Sequence, residues 1–251
     1  MPLQIRPILS SLRHQNPSAP TLVAAAVTVP TIQSSEGSTA LLPIVAQADI
    51  HPDQQTLAND VLERLPSLCR DNLKNFYVLY QGATQRGLGG KTTIIIDGHA
   101  VGNEFVGLMV HECGHVIHGN LLGDITSGAS NFTDGNDVFA KDSPAAAFFS
   151  ISWSTPNVMK AGLTKKDFVS GYAQTNCFED FAETFTGYVL ERPWMETRAK
   201  SDPIIAAKLQ WMEANLPLPA NLLGTGTEQW TGTVPWDATK LAYVWSPISL
   251  N

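Results

Sequence analysis

The sequence predicts an α+β fold, in which a small mixed sheet comes early and helices make up most of the rest. Segments 74–82 and 91–98 are short and rich in β-branched and aromatic residues, which is typical of strands. Three longer segments, near 103–118, 177–191 and 201–216, repeat apolar residues with the period of a helix. Strands that precede the helices, instead of alternating with them, favour α+β over α/β.

The N-terminal part of the chain, residues 1–48, is predicted to be a leader or linker because Ser, Pro, Thr and Ala dominate it. Arg6 and Arg13 precede a weakly apolar stretch, and residues 46–48, Ala-Gln-Ala, have the form of a signal cleavage site. Thr and Pro interrupt that stretch, so a signal peptide, a pro-segment and a disordered leader all stay open. Secretion or the cell envelope is slightly favoured over the cytoplasm, and residues 49–251 form the predicted domain.

The composition argues against several classes of partner. The chain has 251 residues, 43% of them hydrophobic and 16% charged, which is typical of a globular protein. A formal charge of −7 argues against nucleic acid or an anionic membrane as the main partner. No apolar run reaches the roughly 18 residues of a membrane-spanning helix. We therefore expect no integral membrane segment, and we expect a monomer.

One helix and two strands are predicted between the leader and the strongest motif. The segment HPDQQTLANDVLERLPSLC has Pro52 near its start and an apolar face formed by Leu57, Val61, Leu62 and Leu65. KNFYVLYQG and KTTIIIDG are the two strands. ATQRGLGG, which lies between them, is predicted to be a turn because of its glycines.

Helices are the main elements of the rest of the chain. The helix at 103–118 ends near Gly119, and a region rich in Gly, Asp, Asn and Ser follows it. The helix at 177–191 is expected to stop before Pro193, because proline cannot continue a helix into the preceding turn. The helix at 201–216 is the last strong one, and the tail after it is predicted to form loops with at most a short strand.

The helix at 103–118 contains the run HECGH, in which two histidines stand four residues apart. Residues at that spacing share a helix face, so His111 and His115 point the same way and can bind one zinc ion together. Glu112 projects beside that site, where it can take a proton from a water that the metal makes acidic. A pattern fixed at only three positions also arises by chance. A third ligand therefore has to decide between a metal site and a polar helix face.

The third ligand is expected from a second helix. His118 lies too far along the first helix, and we interpret it as a residue that supports the site or lies on the surface. The helix at 177–191 supplies Glu179 and Glu183 on one face among phenylalanines, where two carboxylates are costly to bury without a cation. An amphipathic helix with exposed acids is the alternative. Asp180 falls off that face and is expected to be solvated.

HECGH together with GYAQTNCFEDFAETF resembles the gluzincin zinc metallopeptidases, and most closely the family of the anthrax lethal factor catalytic domain. The matched elements are the HExxH helix, a Tyr-x-x-Thr-Asn-x-x-Glu run and a Glu-x-x-Ala-Glu-x-Phe helix. The resemblance covers about residues 50–216, and its specific part is 111–115 and 172–185. It implies a zincin-like fold, with an edge strand over the HExxH helix and a mainly helical C-terminal part.

The resemblance also implies roles for single residues. Zn²⁺ would be held by His111, His115 and Glu179. Glu112 would be the general base, and Tyr172 would donate its hydroxyl to the oxyanion of the tetrahedral intermediate. Glu183 would orient a ligand histidine, His111. An extended peptide would bind along the edge strand, which would be formed by Thr92, Thr93, Ile94, Ile95 and Ile96.

The implied function is zinc-dependent hydrolysis of peptide bonds in a peptide or protein substrate. A zinc-binding domain that is catalytically silent, or inhibited by its own leader, is the alternative. Cys69, Cys113 and Cys177 are too few for a disulfide framework and allow at most one bridge. A bridge between Cys113 and Cys177 would join the two ligand-bearing segments, but unpaired cysteines in the core are the default expectation.

Overall fold

The computed structural model describes residues 41–218 and 225–245. Within these ranges, seven α-helices and four small sheets form a mixed α+β arrangement, which confirms the predicted fold class. Residues 1–40 of the leader expected at 1–48 lie outside the described residues. Its last part, 41–48, packs on the domain, because Val45 is fully buried and the Gln47 side chain donates to the carbonyl of Phe76 at 3.0 Å.

The three-stranded sheet stands near the start of the domain. Its strands are β1 (Asn75–Leu79), β2 (Gly87–Gly90) and β3 (Thr93–Asp97). The order is β1–β3–β2, with β1 parallel and β2 antiparallel to β3. Alternate residues of β3, Ile94 and Ile96, face the core. β3 is therefore the central strand, and β2 is an edge strand.

The helices are α1 (Pro52–Arg64), α2 (Ser67–Asn72), α3 (Asn103–Gly119), α4 (Pro144–Ser152), α5 (Cys177–Leu190), α6 (Arg192–Ala199) and α7 (Pro203–Asn215). The three strong helices of the sequence correspond to α3, α5 and α7. Local signals set their starts: the Asn176 side chain accepts from the first backbone N–H groups of α5, and Asp202 does the same for α7. Pro193 follows the end of α5, in the first turn of α6, where its missing N–H is harmless.

Helices α3 and α5 pack closely where Gly114 meets Ala182. A Cβ atom at position 114 would lie 2.8 Å from the Cα of Ala182, so only glycine allows this approach. The crossing places the face of α3 that carries the histidines against the face of α5 that carries Glu179 and Glu183. One small residue thus determines how near the two motifs come.

Three two-stranded sheets complete the structure. They are β4 (Ala129–Asp134) with β5 (Asp137–Ala140), β6 (Trp153–Thr155) with β7 (Val158–Met159), and β8 (Thr225–Gly226) with β9 (Tyr243–Val244). The glycine-rich region after α3 therefore contains a hairpin. The tail returns to α3, where Asn103 donates to the carbonyl of Tyr243 at 2.8 Å. Among the helices of the described ranges, none is long and apolar enough to cross a membrane.

A disulfide bond joins Cys69 of α2 to Cys113 in the middle of α3. The expectation of unpaired cysteines is thus wrong for these two residues, because α2 packs against the side of α3 that faces away from the histidines. Cys177, the other candidate partner of Cys113, is a buried free thiol. Burial raises the pKa of that thiol, so Cys177 is a small apolar core residue at neutral pH.

Asp180 is buried, which corrects the expectation that it is solvated. Its carboxylate accepts from the Nζ of Lys208 at 2.7 Å and from the indole N–H of Trp153 at 2.9 Å. The sequence pattern of α5 alone could not show this, since the cation comes from α7. A buried carboxylate with a cation and a second donor meets the general requirement for burying charge.

Candidate metal centre

Three side chains of α3 and α5 converge at the crossing of the two helices. The Oε2 atom of Glu179 lies 3.2 Å from the Nε2 atom of His111 and 3.4 Å from the Nε2 atom of His115. The three ligand atoms all lie within 4.8 Å of one another, and the group could hold a metal ion. The helical spacing of the two histidines and the position of Glu179 on α5 are therefore brought together as the sequence predicts.

The chemistry of this cluster fits a zinc ion. Glu179 Oε2 is buried and makes no hydrogen bond within the described residues, although two imidazole nitrogens lie beside it. Buried polar atoms nearly always have a bonding partner, so this oxygen is expected to bind a further group, such as a metal ion. Burial would raise the pKa of Glu179, but His111 and His115 outweigh that effect and hold it well below its usual range. Two imidazole nitrogens and a carboxylate oxygen are a ligand set that zinc accepts.

Glu183 stands behind His111. Its Oε1 atom lies 2.9 Å from the Nδ1 atom of His111, without the alignment of a good hydrogen bond. Its Oε2 atom accepts the backbone N–H of Ala238 at 2.7 Å, and the carboxylate is fully buried. The tail of the chain therefore fixes the carboxylate that lies next to the first histidine.

His118 stands behind His115 in the same way. Its Nε2 atom lies 3.0 Å from the Nδ1 atom of His115, and the side chain is buried. Of the two interpretations open from the sequence, a supporting role fits this position and a surface role does not. Burial lowers the pKa of His118 well below its usual value, and the neighbouring His115 lowers it further.

Glu112 lies under the edge strand β2. The carboxylate is buried, and a Cβ atom at Gly89 would approach its Oε2 atom to 2.6 Å. Burial raises the pKa of Glu112, and the nearby His111 and His115 partly oppose that rise. A carboxylate in this position can serve as a proton acceptor.

Tyr172 begins a short 3₁₀ turn before α5, and its ring lies 6.0 Å from the ring of His111. Its backbone N–H donates to the carbonyl of Trp236 at 2.7 Å, which fixes the turn against the tail. Burial, with a contribution from Glu179, raises the pKa of the phenol to about 12. The hydroxyl therefore keeps its proton at neutral pH and can donate it in a hydrogen bond.

The prediction that Thr92, Thr93, Ile94, Ile95 and Ile96 form the free edge strand is wrong. Most of this segment is β3, whose two edges are paired with β1 and β2. The carbonyl of Thr92 is also taken, since it accepts from Lys74 at 2.8 Å. The strand with a free edge beside α3 is β2, and no strand in the described part of the chain pairs with that edge.

The glycines of β2 explain why this strand was missed. Glycine is rare in strands, so the sequence indicated a turn. Here, side chains at Gly87 and Gly89 would collide with Glu112, which lies directly beneath the strand. Glycine is therefore needed because the strand and the helix are so close. The exposed side of β2 carries Leu88.

A cavity of about 280 Å³ opens beside His111 and Glu112. Its walls come from four parts of the chain: residues 85–87 at the start of β2, the part of α3 that includes Leu108, the segment of Tyr172 and Glu183, and the tail near Trp236. Trp236 lies on the tail wall with 70% of its surface exposed. No motif or periodicity in the sequence predicts that the tail lies here.

Arg86 holds the tail wall in place. Its guanidinium donates to Asp237 of the tail at 2.7 Å and to Glu104 of α3 at 2.8 Å. Asp237 in turn accepts the backbone N–H of Thr239 at 2.8 Å. The charges around the cavity mouth are thus paired with one another. Arg86 and Asp237 are 151 residues apart, so no local pattern could indicate the contact.

A comparison of the chain with family models, curated proteins and solved structures found no match. The site must therefore be interpreted from its own residues. Six of the expected site residues lie together: His111, Glu112, His115, Tyr172, Glu179 and Glu183. Segment 92–96 does not line the cavity.

Proposed function

We propose that the protein is a zinc-dependent endopeptidase of the gluzincin type with a zincin-like domain. One observation carries the proposal: a buried carboxylate oxygen without a hydrogen bond lies between two imidazole nitrogens, and one of these histidines, His111, lines a cavity together with Glu112 and Tyr172. A metal site, a proton acceptor and a hydroxyl donor are the groups that metal-assisted hydrolysis requires.

The residues that would hold the zinc ion are His111, His115 and Glu179. A bound zinc ion supplies Lewis acidity, which polarises a carbonyl group and makes water more acidic. Three protein ligands leave a coordination position open, as catalytic zinc sites do. In a structural site, four protein ligands are the rule, and the cluster of described residues has three.

Three further residues of the site have roles in proton transfer, hydrogen bonding and the orientation of a ligand. Glu112 takes the proton from the attacking water and passes it to the leaving amine. Burial raises the pKa of Glu112 and so favours its protonated form between these two steps. The Tyr172 hydroxyl donates to the carbonyl oxygen as negative charge develops on it. Glu183 keeps the imidazole of His111 in one orientation.

The edge strand β2 is the place where an extended peptide would bind. An edge strand presents N–H and C=O groups that pair with an added strand, which gives affinity without dependence on sequence. Glycine at positions 87 and 89 brings this edge directly over Glu112. A substrate strand paired with β2 would then pass between the glycine edge and Trp236, over the cavity.

A location in an oxidising compartment fits the proposal. The Cys69–Cys113 disulfide is buried, and such bonds are typical of secreted and envelope proteins. This supports the preference for secretion or the cell envelope that the N-terminal sequence suggests.

The first test is zinc content. Purified full-length protein should contain about one zinc ion per chain, and Glu179→Ala should lose most of it. Glu112→Gln should keep the metal and lose hydrolysis of peptides, because the amide cannot accept the proton. Absence of zinc from the parent protein, even after loading, would end the proposal.

The second candidate, a zinc-binding domain without hydrolytic activity, makes a different prediction. Zinc would bind as before, but no member of a diverse peptide library would be cleaved. Protein with and without residues 1–40 should be compared in the same assay. Cleavage by the shortened protein alone would show that the leader inhibits the site.

A further inference from the structure

We propose that His118 is a positioning residue of the metal centre, which holds the imidazole of His115 so that the Nε2 atom of His115 faces Glu179. The proposal rests on the zinc function proposed above and extends it to a residue outside the ligand set. It assigns a role to the third histidine of the run HECGHVIH, which that function does not use.

The two nitrogens of His115 point at different partners. Nε2 lies 3.4 Å from Glu179 Oε2, on the side of the proposed zinc ligands, whereas Nδ1 lies 3.0 Å from His118 Nε2. A ring nitrogen that binds a metal must present its lone pair, so the proton of the neutral ring sits on the other nitrogen. That proton needs an acceptor, and His118 Nε2 is placed to accept it.

His118 is itself held firmly. Its ring stacks on Phe178 with 5.2 Å between centroids and 16° between planes, and Phe181 and Phe149 contact it edge-on at 5.6 and 5.9 Å. Phe178 directly precedes Glu179 in α5. One turn of α5 therefore supplies both a ligand and the surface that fixes the ring behind another ligand.

The surroundings of the Nδ1 atom of His118 indicate that histidine at this position does not serve to stabilise the fold. Its Nδ1 atom is buried and has no hydrogen-bond partner within the described ranges. A buried polar atom without a partner destabilises a fold, and a phenylalanine would fill the same aromatic surroundings without that cost. The contact with His115 is the feature that only a ring with an acceptor nitrogen can provide.

The two ligand histidines thus have different outer partners. Behind His111 stands the carboxylate of Glu183, which the backbone N–H of Ala238 also binds. Behind His115 the walls are phenylalanine rings, among which an ionised carboxylate would be uncompensated. A neutral imidazole is an acceptor that such walls tolerate.

The test compares His118→Phe with His118→Gln in the full-length protein. Phenylalanine keeps the ring volume but cannot accept a hydrogen bond, whereas the amide oxygen of glutamine can. The control is His51→Phe, since His51 also stacks on an aromatic ring, Tyr80 at 4.1 Å, but is exposed and lies outside the metal cluster. Zinc affinity is measured by competition with a chelator, and thermal unfolding is measured on the metal-free proteins.

His118→Phe should weaken zinc binding roughly 10- to 100-fold while the metal-free protein unfolds at the parental temperature or above it. His118→Gln should recover a large part of the affinity, and His51→Phe should keep all of it. Parental affinity in His118→Phe, or equal losses in the two His118 variants, would overturn the positioning role and leave the zinc site standing. If the parent bound no zinc, both proposals would fall.

Discussion

Glu183 accepts the backbone N–H of Ala238 at 2.7 Å, although the two residues are 55 positions apart. The same carboxylate lies 2.9 Å from the Nδ1 atom of His111. One buried carboxylate therefore contacts both the C-terminal tail and a histidine of the proposed metal centre.

Glu183→Ala should weaken zinc binding by about 10- to 100-fold, because His111 loses the group behind it. It should also lower the free energy of unfolding by roughly 1–3 kcal/mol, since the N–H of Ala238 is left unpaired in a buried place. Chelator competition and urea denaturation measure the two effects. Glu196→Ala, which removes only an exposed ion pair with Arg192 on α6, serves as the control. It should leave zinc binding unchanged and alter the free energy of unfolding by no more than about 0.5 kcal/mol.

Gly89→Ala should reduce peptide hydrolysis at least tenfold. The added methyl group would lie 2.6 Å from Glu112 and 2.8 Å from the Cβ of His115, so β2 must move away from α3. Overpacking of this kind costs about 1–3 kcal/mol of stability. Gly90→Ala is the matched control, because nothing lies within 4 Å of a Cβ atom there. Equal effects of the two substitutions would argue against the position given to β2.

Tyr172→Phe should lower kcat by roughly 10²- to 10³-fold and leave KM and zinc content nearly unchanged, because the hydroxyl acts as charge develops on the carbonyl oxygen. Since the pKa of Tyr172 is about 12, the parental rate should show no loss from phenol ionisation up to pH 9. Steady-state kinetics of the parent and of Tyr172→Phe over pH 6–9 measure the loss of kcat and the pH dependence. Tyr77→Phe, on the exposed side of β1, is the control.

Trp236→Ala should raise KM for peptide substrates roughly tenfold, with a smaller change in kcat. The ring is exposed on the cavity wall, and its backbone is fixed by Tyr172, so it offers a rigid apolar surface to a bound substrate. Val158→Ala is an exposed apolar control on β7. A KM that did not change would show that substrates avoid the tail wall.

Deprotonation of the buried Glu191 carboxyl group should lower the free energy of unfolding as the pH rises. The carboxylate is fully buried and makes no hydrogen bond of good geometry among the described residues. Burial and the charge of Glu228 raise its pKa from 4.5 to about 7, although the backbone N–H of Glu228 partly opposes that rise. The folded state therefore binds this proton more tightly than the unfolded state. The contribution of Glu191 to the free energy of unfolding is therefore greatest below pH 4.5, falls between 4.5 and 7, and is lost above that range.

Glu191→Gln isolates this effect. A raised pKa of that size corresponds to at most about 3 kcal/mol. The variant should match the parent near pH 5 and exceed it at pH 8 in urea denaturation. A constant difference between parent and variant across this range would show that Glu191 does not titrate as its burial implies.

The helices that bear the proposed ligands could be predicted because their signals are local. The apolar period of α3 and α5 lies within each segment, and Asn176 caps α5 from the adjacent position. The spacing of His111 and His115, and of Glu179 and Glu183, then determines which side chains share a face. None of these inferences needs knowledge of a distant part of the chain.

The features that sequence reasoning missed are set by distant contacts. β2 forms in a glycine-rich segment because a helix lies beneath it, and its position makes β3 central. Asp180 is buried because Lys208 reaches it from α7. The tail lines the cavity because Arg86 binds Asp237. Composition and periodicity describe single segments, so they cannot reveal such pairs.

The disulfide between Cys69 and Cys113 encloses all three strands of the main sheet, since β1, β2 and β3 lie between these residues. With a separation of 44 residues, closing this loop contributes about 4 kcal/mol in the chain-entropy model. A cut by any protease in the turn before β2 would leave both pieces covalently attached. In a denaturing gel, the nicked chain would migrate as one molecule until a reductant separated the piece that carries α2 from the piece that carries α3.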